Sequence, residues 1–166
     1  MFDAIDHLIH DFFKQFDNRT TGACPLDQLE RFFADGAVIV KRSAQGVEVM
    51  SVEAFAAPRR RLLGEGTLKD FHEWEVSAET FCFGGTATRT SHYRKRGRLN
   101  GQAFEGEGMK SVQLVLTDAG WRITAIIWED CSEALALHAG QRRVTTMGPS
   151  RQNVLTYQPQ ATRITL

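Results

Sequence analysis

The chain has 166 residues, and its 20 basic and 20 acidic side chains give a formal charge of zero, with 42% of residues hydrophobic. That length and apolar share fit a single domain with an ample core, and a balanced chain has no global field to gather nucleic acid or an anionic membrane. Cys24, Cys82 and Cys131 are widely spaced and form no CxxC, which argues against a disulfide framework or zinc site and predicts a reducing, cytoplasmic setting, as does the lack of a signal-peptide pattern or membrane-length apolar run.

Phe2, Ile5, Leu8, Ile9, Phe12, Phe13 and Phe16 recur at spacings of three and four and predict an amphipathic helix over 3–17. The polar run 17–22 reads as a loop. Pro25 suits the first turn of a second helix, with Leu26, Leu29, Phe32 and Phe33 inward and Gly36 as its stop. Ala37–Val40 and Gly46–Met50 read as a short hairpin. Ser51 offers an N-cap for a third helix, in which Pro58 must either produce a kink or lie near the start.

From Leu68 the pattern turns to strands. Leu68–Gly84, Thr86–Leu99, Gln102–Thr117 and Trp121–Asp130 form four long antiparallel segments, separated by turn signals at Gly84-Gly85, Asn100-Gly101 and Asp118-Ala119-Gly120. Within the first of these, Trp74, Val76 and Ala78 share one parity while Phe81 and Phe83 share the other. A β-bulge near Ser77–Thr80 is the simplest repair. Residues 138–166 lose their apolar density and read as a C-terminal arm or tail on a domain spanning 1–137.

This order of elements, with Phe81–Tyr93 as a strand pair across a glycine turn and Gly106–Asp130 as a final hairpin carrying Gly120-Trp121-Arg122-Ile123, resembles the nuclear transport factor 2-like superfamily. The resemblance covers about Ile5–Asp130. It implies an α+β cone, in which a curved antiparallel sheet wraps around three N-terminal helices and leaves an apolar pocket at its open end. It also implies a homodimer packed through the outer sheet face. Ketosteroid isomerase, scytalone dehydratase and polyketide-cyclase-like proteins share the fold, so it says little about activity.

The enzymes of that superfamily work with an Asp or His base and polar partners in the cone. His72, Tyr93 and Asp130 are the catalytic candidates that this implies here. If Trp74 points inward, His72 shares its face, whereas Glu73 and Glu75 are solvated. Trp74, Lys110 and Trp128 are the ligand-binding candidates. Lys110 stands on a face otherwise made of Phe104, Gly106, Gly108, Val112 and Leu114, so it either snorkels at a rim or is paired inside a cavity. The two glycines on that face open room for a ligand or let the sheet bend, and bending is the expected reading. Trp121 and Trp128 have opposite parities, which predicts one inside and one outside.

The basic clusters Arg94-Lys95-Arg96 and Arg59-Arg60-Arg61 read as solvated surface rather than as a nucleic-acid grip, and His7 and His10 as solvated rather than as metal ligands. No cofactor motif occurs. The expected function is binding of a small apolar ligand in the cone. An isomerase, dehydratase or cyclase acting on a hydrophobic ring compound, with His72 as base, and a homodimeric interaction module are the other readings.

Overall fold

In the computed structural model of the protein, residues 2–20 and 25–131 are described. The arm at 138–166, the expected domain end at 137 and Cys24 lie outside them. The amphipathic spacing at the start of the chain forms helix α1, Phe2–Lys14, with Ile5, Ile9, Phe12 and Phe13 buried. Phe12 is the hub of this face. Its ring makes edge contacts with Phe13, Phe16, Phe32 and Phe33 at centroid distances of 5.3 to 6.2 Å, the geometry that aromatic quadrupoles favour.

The second helix differs from expectation. It is a 3-10 helix, Pro25–Phe32, and strand β1 follows at once over Phe33–Ser43. The reason is visible in the spacing. Leu26, Leu29 and Phe32, all buried, recur every three residues, the period of a 3-10 helix. Gly36 is not a helix stop. It sits inside β1 at φ +73°, where the pairing with the last strand slips between Phe33 and Val38. A positive φ at a bulge is a position that glycine fills without strain.

Strand β2, Gly46–Met50, returns antiparallel to β1. Helix α2, Val52–Gly64, is capped by Ser51, whose Oγ accepts the Ala54 N–H at 3.2 Å. Pro58 lies inside α2, so the Ala54 carbonyl loses its helical donor there. The remaining strands are β3 (Leu68–Phe83), β4 (Thr86–Leu99), β5 (Gln102–Thr117) and β6 (Gly120–Asp130). They join one six-stranded sheet in the order β2-β1-β6-β5-β4-β3. Every neighbour pair is antiparallel except β1–β6, which is parallel.

The sheet is curved and unclosed, and bulges set which residues face the helices. One lies at Val76, just ahead of the expected Ser77–Thr80, where the β3–β4 register shifts between Glu75 and Ser77. A second shift falls between Lys69 and His72, at Asp70 with φ 51°. Asn18 clamps this second kink. Its side chain donates to the Leu68 carbonyl and accepts the Phe71 N–H, both at 2.7 Å, while its own N–H donates to the Phe71 carbonyl at 3.0 Å. Arg89 on β4 ties the other end of α1 to the sheet. It reaches Asp6 at 2.6 Å and holds Glu75 with a two-point grip, and Ser91 Oγ donates to the same Glu75 carboxylate. Glu75 is thus paired on the inner face rather than solvated.

Candidate functional site

Between α1, α2 and the inner face of the sheet lies a cavity of about 430 Å³, near the lower end of the roughly 300–1,000 Å³ range of small-molecule sites. Phe16, Phe55, Phe71, Phe104, Ile126 and Trp128 form much of its apolar wall. Phe71 and Phe104 stack at 6.2 Å, and Phe55 meets Trp128 edge-on at 5.6 Å. Two polar constellations stand within this wall.

The first is an ion pair. Lys110 on β5 and Glu73 on β3 meet at 2.5 Å, with side chains only 8% and 13% exposed. The Lys110 ammonium also lies 3.3 Å from the centre of the Tyr93 ring, and 5.5 and 5.9 Å from those of Phe13 and Trp128. Such aromatic faces partly replace lost water around a cation. Burial pushes the Lys110 amine below its ordinary pKa, against the opposing pull of Glu73.

The second is centred on Asp130, at the end of β6. Its Oδ1 accepts from the Tyr93 hydroxyl at 2.6 Å and from Lys95 Nζ at 2.5 Å. Burial works to raise the Asp130 pKa, but the hydrogen bonds from Lys95 and Tyr93 outweigh it and hold the carboxyl below the usual range. Tyr93 is displaced the opposite way. Burial and its bond to Asp130 push its phenol far above the ordinary value, so it remains a proton donor. Asp130 Oδ2 and Glu73 Oε2 take no hydrogen bond from protein among the described residues.

Two glycines make room for this arrangement. In the β4–β5 register Tyr93 lies opposite Gly108 and Lys95 opposite Gly106. A Cβ at Gly108 would stand 2.5 Å from the Tyr93 hydroxyl and 2.3 Å from the Glu129 carbonyl oxygen, and one at Gly106 would stand 3.1 Å from the Lys95 chain. The glycines of β5 therefore give space to neighbouring side chains rather than to a ligand.

At the α2 side, the Arg59 guanidinium lies 3.7 Å from the Phe55 ring centre and 5.7 Å from that of Trp128. One of its N–H groups donates to the Phe55 carbonyl at 2.8 Å. Lys41 on β1 also lines the cavity and is the register neighbour of Trp128.

Of the residues expected to form a site, Tyr93, Asp130, Lys110 and Trp128 come together here, whereas His72 and Trp74 do not. The alternation on β3 places Phe71, Glu73 and Glu75 inward, so His72 and Trp74 point to the opposite face, where they stack on each other at 4.7 Å. His72 is only 8% exposed and its Nδ1 has no partner. Burial, reinforced by Arg19 and Arg96, lowers its pKa, but it does not line the cavity. The inference that Glu73 is solvated fails for the same reason: Trp74 faces outward.

The tryptophans also correct their parity argument. Trp121 and Trp128 are both buried, because the β5–β6 register shifts between Gln113 and Leu114 and leaves Thr124 as the extra residue. Lys95 and Arg59, expected on solvated surface, both line the cavity. Alternation through Arg94-Lys95-Arg96 was the available signal for Lys95. For Arg59 the sequence held none, since it depends on how α2 seats on the sheet.

No protein-family model matches the sequence, and no curated protein matches it. Solved structures do. A protein provisionally described as a scytalone dehydratase, from Novosphingobium aromaticivorans, superposes with a TM-score of 0.63 at 12% identity, over 79% of this chain and 84% of that one. An uncharacterised protein with a cystatin-like fold from Caulobacter vibrioides gives 0.63 at 15% identity, over 82% and 94%. A domain provisionally described as a calcium/calmodulin-dependent protein kinase II association domain, from Xanthomonas campestris, gives 0.60 at 12%, over 78% and 86%. At such identities the likeness is one of architecture alone: an α+β cone-like fold in which a curved, unclosed sheet wraps the helices.

Proposed function

We propose that the cavity binds a small, flat and largely apolar ring compound. The observation that carries this reading is the pairing of aromatic walls with two constellations of charge, the buried Lys110–Glu73 pair and the half-buried group around Asp130. Buried ion pairs add little to stability, because desolvation offsets their attraction. Groups of this kind on a cavity wall are the convergent polar contacts that orient a ligand. The likeness to a protein provisionally described as a scytalone dehydratase points the same way.

The test is isothermal titration with bicyclic aromatic alcohols and ketones, comparing the native chain with Leu62→Trp. Leu62 lines the cavity yet is 38% exposed, so a tryptophan there fills the cavity mouth without disturbing the core. Micromolar binding that disappears in the variant, at an unchanged melting temperature, supports the reading. Failure of every ring compound to bind the native chain overturns it.

One observation favours a second reading, proton transfer on such a compound as in an isomerase, dehydratase or cyclase. Asp130 Oδ2 takes no protein donor among the described residues, and the protonated Tyr93 phenol lies beside the carboxylate. His72 does not line the cavity, so this reading gives the base's role to Asp130. Asp130, held below the usual carboxylate range, is a weak base, which is why binding ranks first. Solvent deuterium entering the α-carbon of a bound ketone, and ceasing to do so in Asp130→Asn, would promote the second reading above the first.

The same proposal includes a homodimer packed through the outer sheet face. Phe81 and Phe83 on β3 are 71% and 79% exposed, and Met109 and Ile127 are about half exposed elsewhere on the same side of the sheet. Large apolar side chains exposed on one sheet face are what a partner copy would cover, and one neighbour is described as an association domain. A cytoplasmic setting is also proposed, on the unpaired thiols of Cys82 and Cys131. No described helix is long and apolar enough to cross a membrane.

A further inference from the structure

Resting on the binding reading above, the charges of the cavity narrow its ligand. Four cations line it, Lys41, Arg59, Lys95 and Lys110, against two carboxylates, Glu73 and Asp130. Both carboxylates are already committed, Glu73 to Lys110 and Asp130 to Lys95. Lys41 and Arg59 are left with no carboxylate at ion-pair distance among the described residues. Glu48, opposite Lys41 on β2 and on the surface, makes no ion pair with it.

The unmatched pair is not scattered. Trp128 sits opposite Lys41 on one side and Lys110 on the other in the sheet register, and Arg59 reaches over it from α2. Arg59 is also held in place. Its guanidinium stacks on Phe55, and one N–H group is fixed by the Phe55 carbonyl. Its other N–H groups have no protein acceptor among the described residues. Burial lowers the Arg59 pKa despite the more distant attractions of Glu73, Glu48 and Asp130, as expected of a cation that its surroundings leave undercompensated.

We infer that the ligand is an anion: a flat aromatic ring system bearing one carboxylate, with its acid group on Arg59 and Lys41 and its ring against Phe55 and Trp128. The planar fork of an arginine suits a carboxylate with two oxygens. An excess of positive charge inside low-dielectric walls draws anions in preference to neutral molecules of the same shape. The remaining donors and acceptors, Tyr93, Asp130 and Glu73, are then left for polar atoms elsewhere on the ring.

The probes are 2-naphthoate and its neutral isostere 2-naphthamide, titrated calorimetrically into the full chain at low and high salt. The expected result is a preference for naphthoate of about tenfold or more, the value of one charge-assisted hydrogen-bonded contact, shrinking as salt is raised. Arg59→Gln should remove most of that preference, weakening naphthoate much more than naphthamide, and Arg59→Lys should keep part of it. Lys41→Met, on a different element, should reduce the preference independently and protects the test against a misfolded helix variant. Naphthamide binding as tightly as naphthoate, or a preference that survives Arg59→Gln with Lys41→Met, overturns the inference and leaves the ring-pocket reading standing. Binding of neither probe refutes the inference, and the reading beneath it then rests on the neutral alcohols and ketones alone.

Discussion

The Lys110–Glu73 pair makes a demanding test, because its two members should behave very differently alone and together. Lys110→Met keeps most of the side-chain volume and its packing on the Tyr93 ring but leaves Glu73, 13% exposed, without its partner. Breaking a buried pair from one side costs about 3–5 kcal/mol, and the cavity's access to water places this case near 3. For a chain of this length that is a fall in melting temperature of roughly 6–12 °C. Glu73→Leu alone should cost a similar amount, since a desolvated ammonium remains. The double variant should recover much of the loss and lie within about 2 kcal/mol of the native chain, because apolar replacements of both partners remove the desolvation cost along with the attraction. Urea unfolding followed by circular dichroism, run on all four proteins, gives the coupling energy directly. If the single losses add, with a coupling below about 0.5 kcal/mol, Lys110 and Glu73 are independently solvated and the cavity wall is not as described.

Three other outcomes follow from the same geometry. Gly108→Ala should destabilise by about 2–3 kcal/mol through overpacking against the Tyr93 ring and the Glu129 backbone, whereas Gly106→Ala, which meets only the flexible Lys95 chain, should cost clearly less; equal losses in urea titrations would contradict the register. Asp130 has a folded-state pKa below its unfolded value near 3.9. Its contribution is therefore complete above about pH 4 and is lost as pH falls through the lower folded-state pKa. The stability gap between the native chain and Asp130→Asn should be widest at neutral pH and close in acid, and a gap independent of pH would refute the assignment. Phe81→Glu with Phe83→Glu should turn a dimer into a monomer by light scattering without shifting the melting temperature of the monomer, since both side chains are exposed; an unchanged mass would remove the outer face as the interface.

Much of the architecture was legible in the sequence because it rests on local rules. Asn100-Gly101 announced a tight hairpin, and both residues do adopt positive φ, 51° and 82°. Ser51 announced a helix start and is its cap. Which residues face the cavity was harder to read, because each bulge inverts the alternation downstream of it. The slipped alternation on β3 announced a bulge but not which side of it faces the helices, and the Thr124 shift went unread, so the positions of Glu73, Glu75 and both buried tryptophans of β6 were missed. Lys110 gave itself away as a charge on an apolar face. Its partner Glu73 did not, since that requires knowing that Trp74 points outward. The glycines at 106 and 108 looked like bending points because their true neighbours, Lys95 and Tyr93, become adjacent only once the β4–β5 register is known.

The two ties on α1 bear on how the cavity fits what enters it. Asn18 lashes the chain just beyond α1 to the kink of β3, and Asp6 is hooked to Arg89 near the helix's other end. One wall is therefore anchored at two points on adjacent strands. Helix α2 has no comparable moorings. Its side chains form no hydrogen bond to the sheet among the described residues, its ion pairs to a neighbouring element run to the 3-10 helix through Arg60 and Asp27, and Pro58 leaves a gap in its own ladder. A larger or smaller occupant would be accommodated on the α2 side, which carries Arg59, while the floor of Tyr93, Asp130 and Lys110 keeps its spacing. Selection of the ligand would then fall to the pliant wall and its orientation to the rigid one.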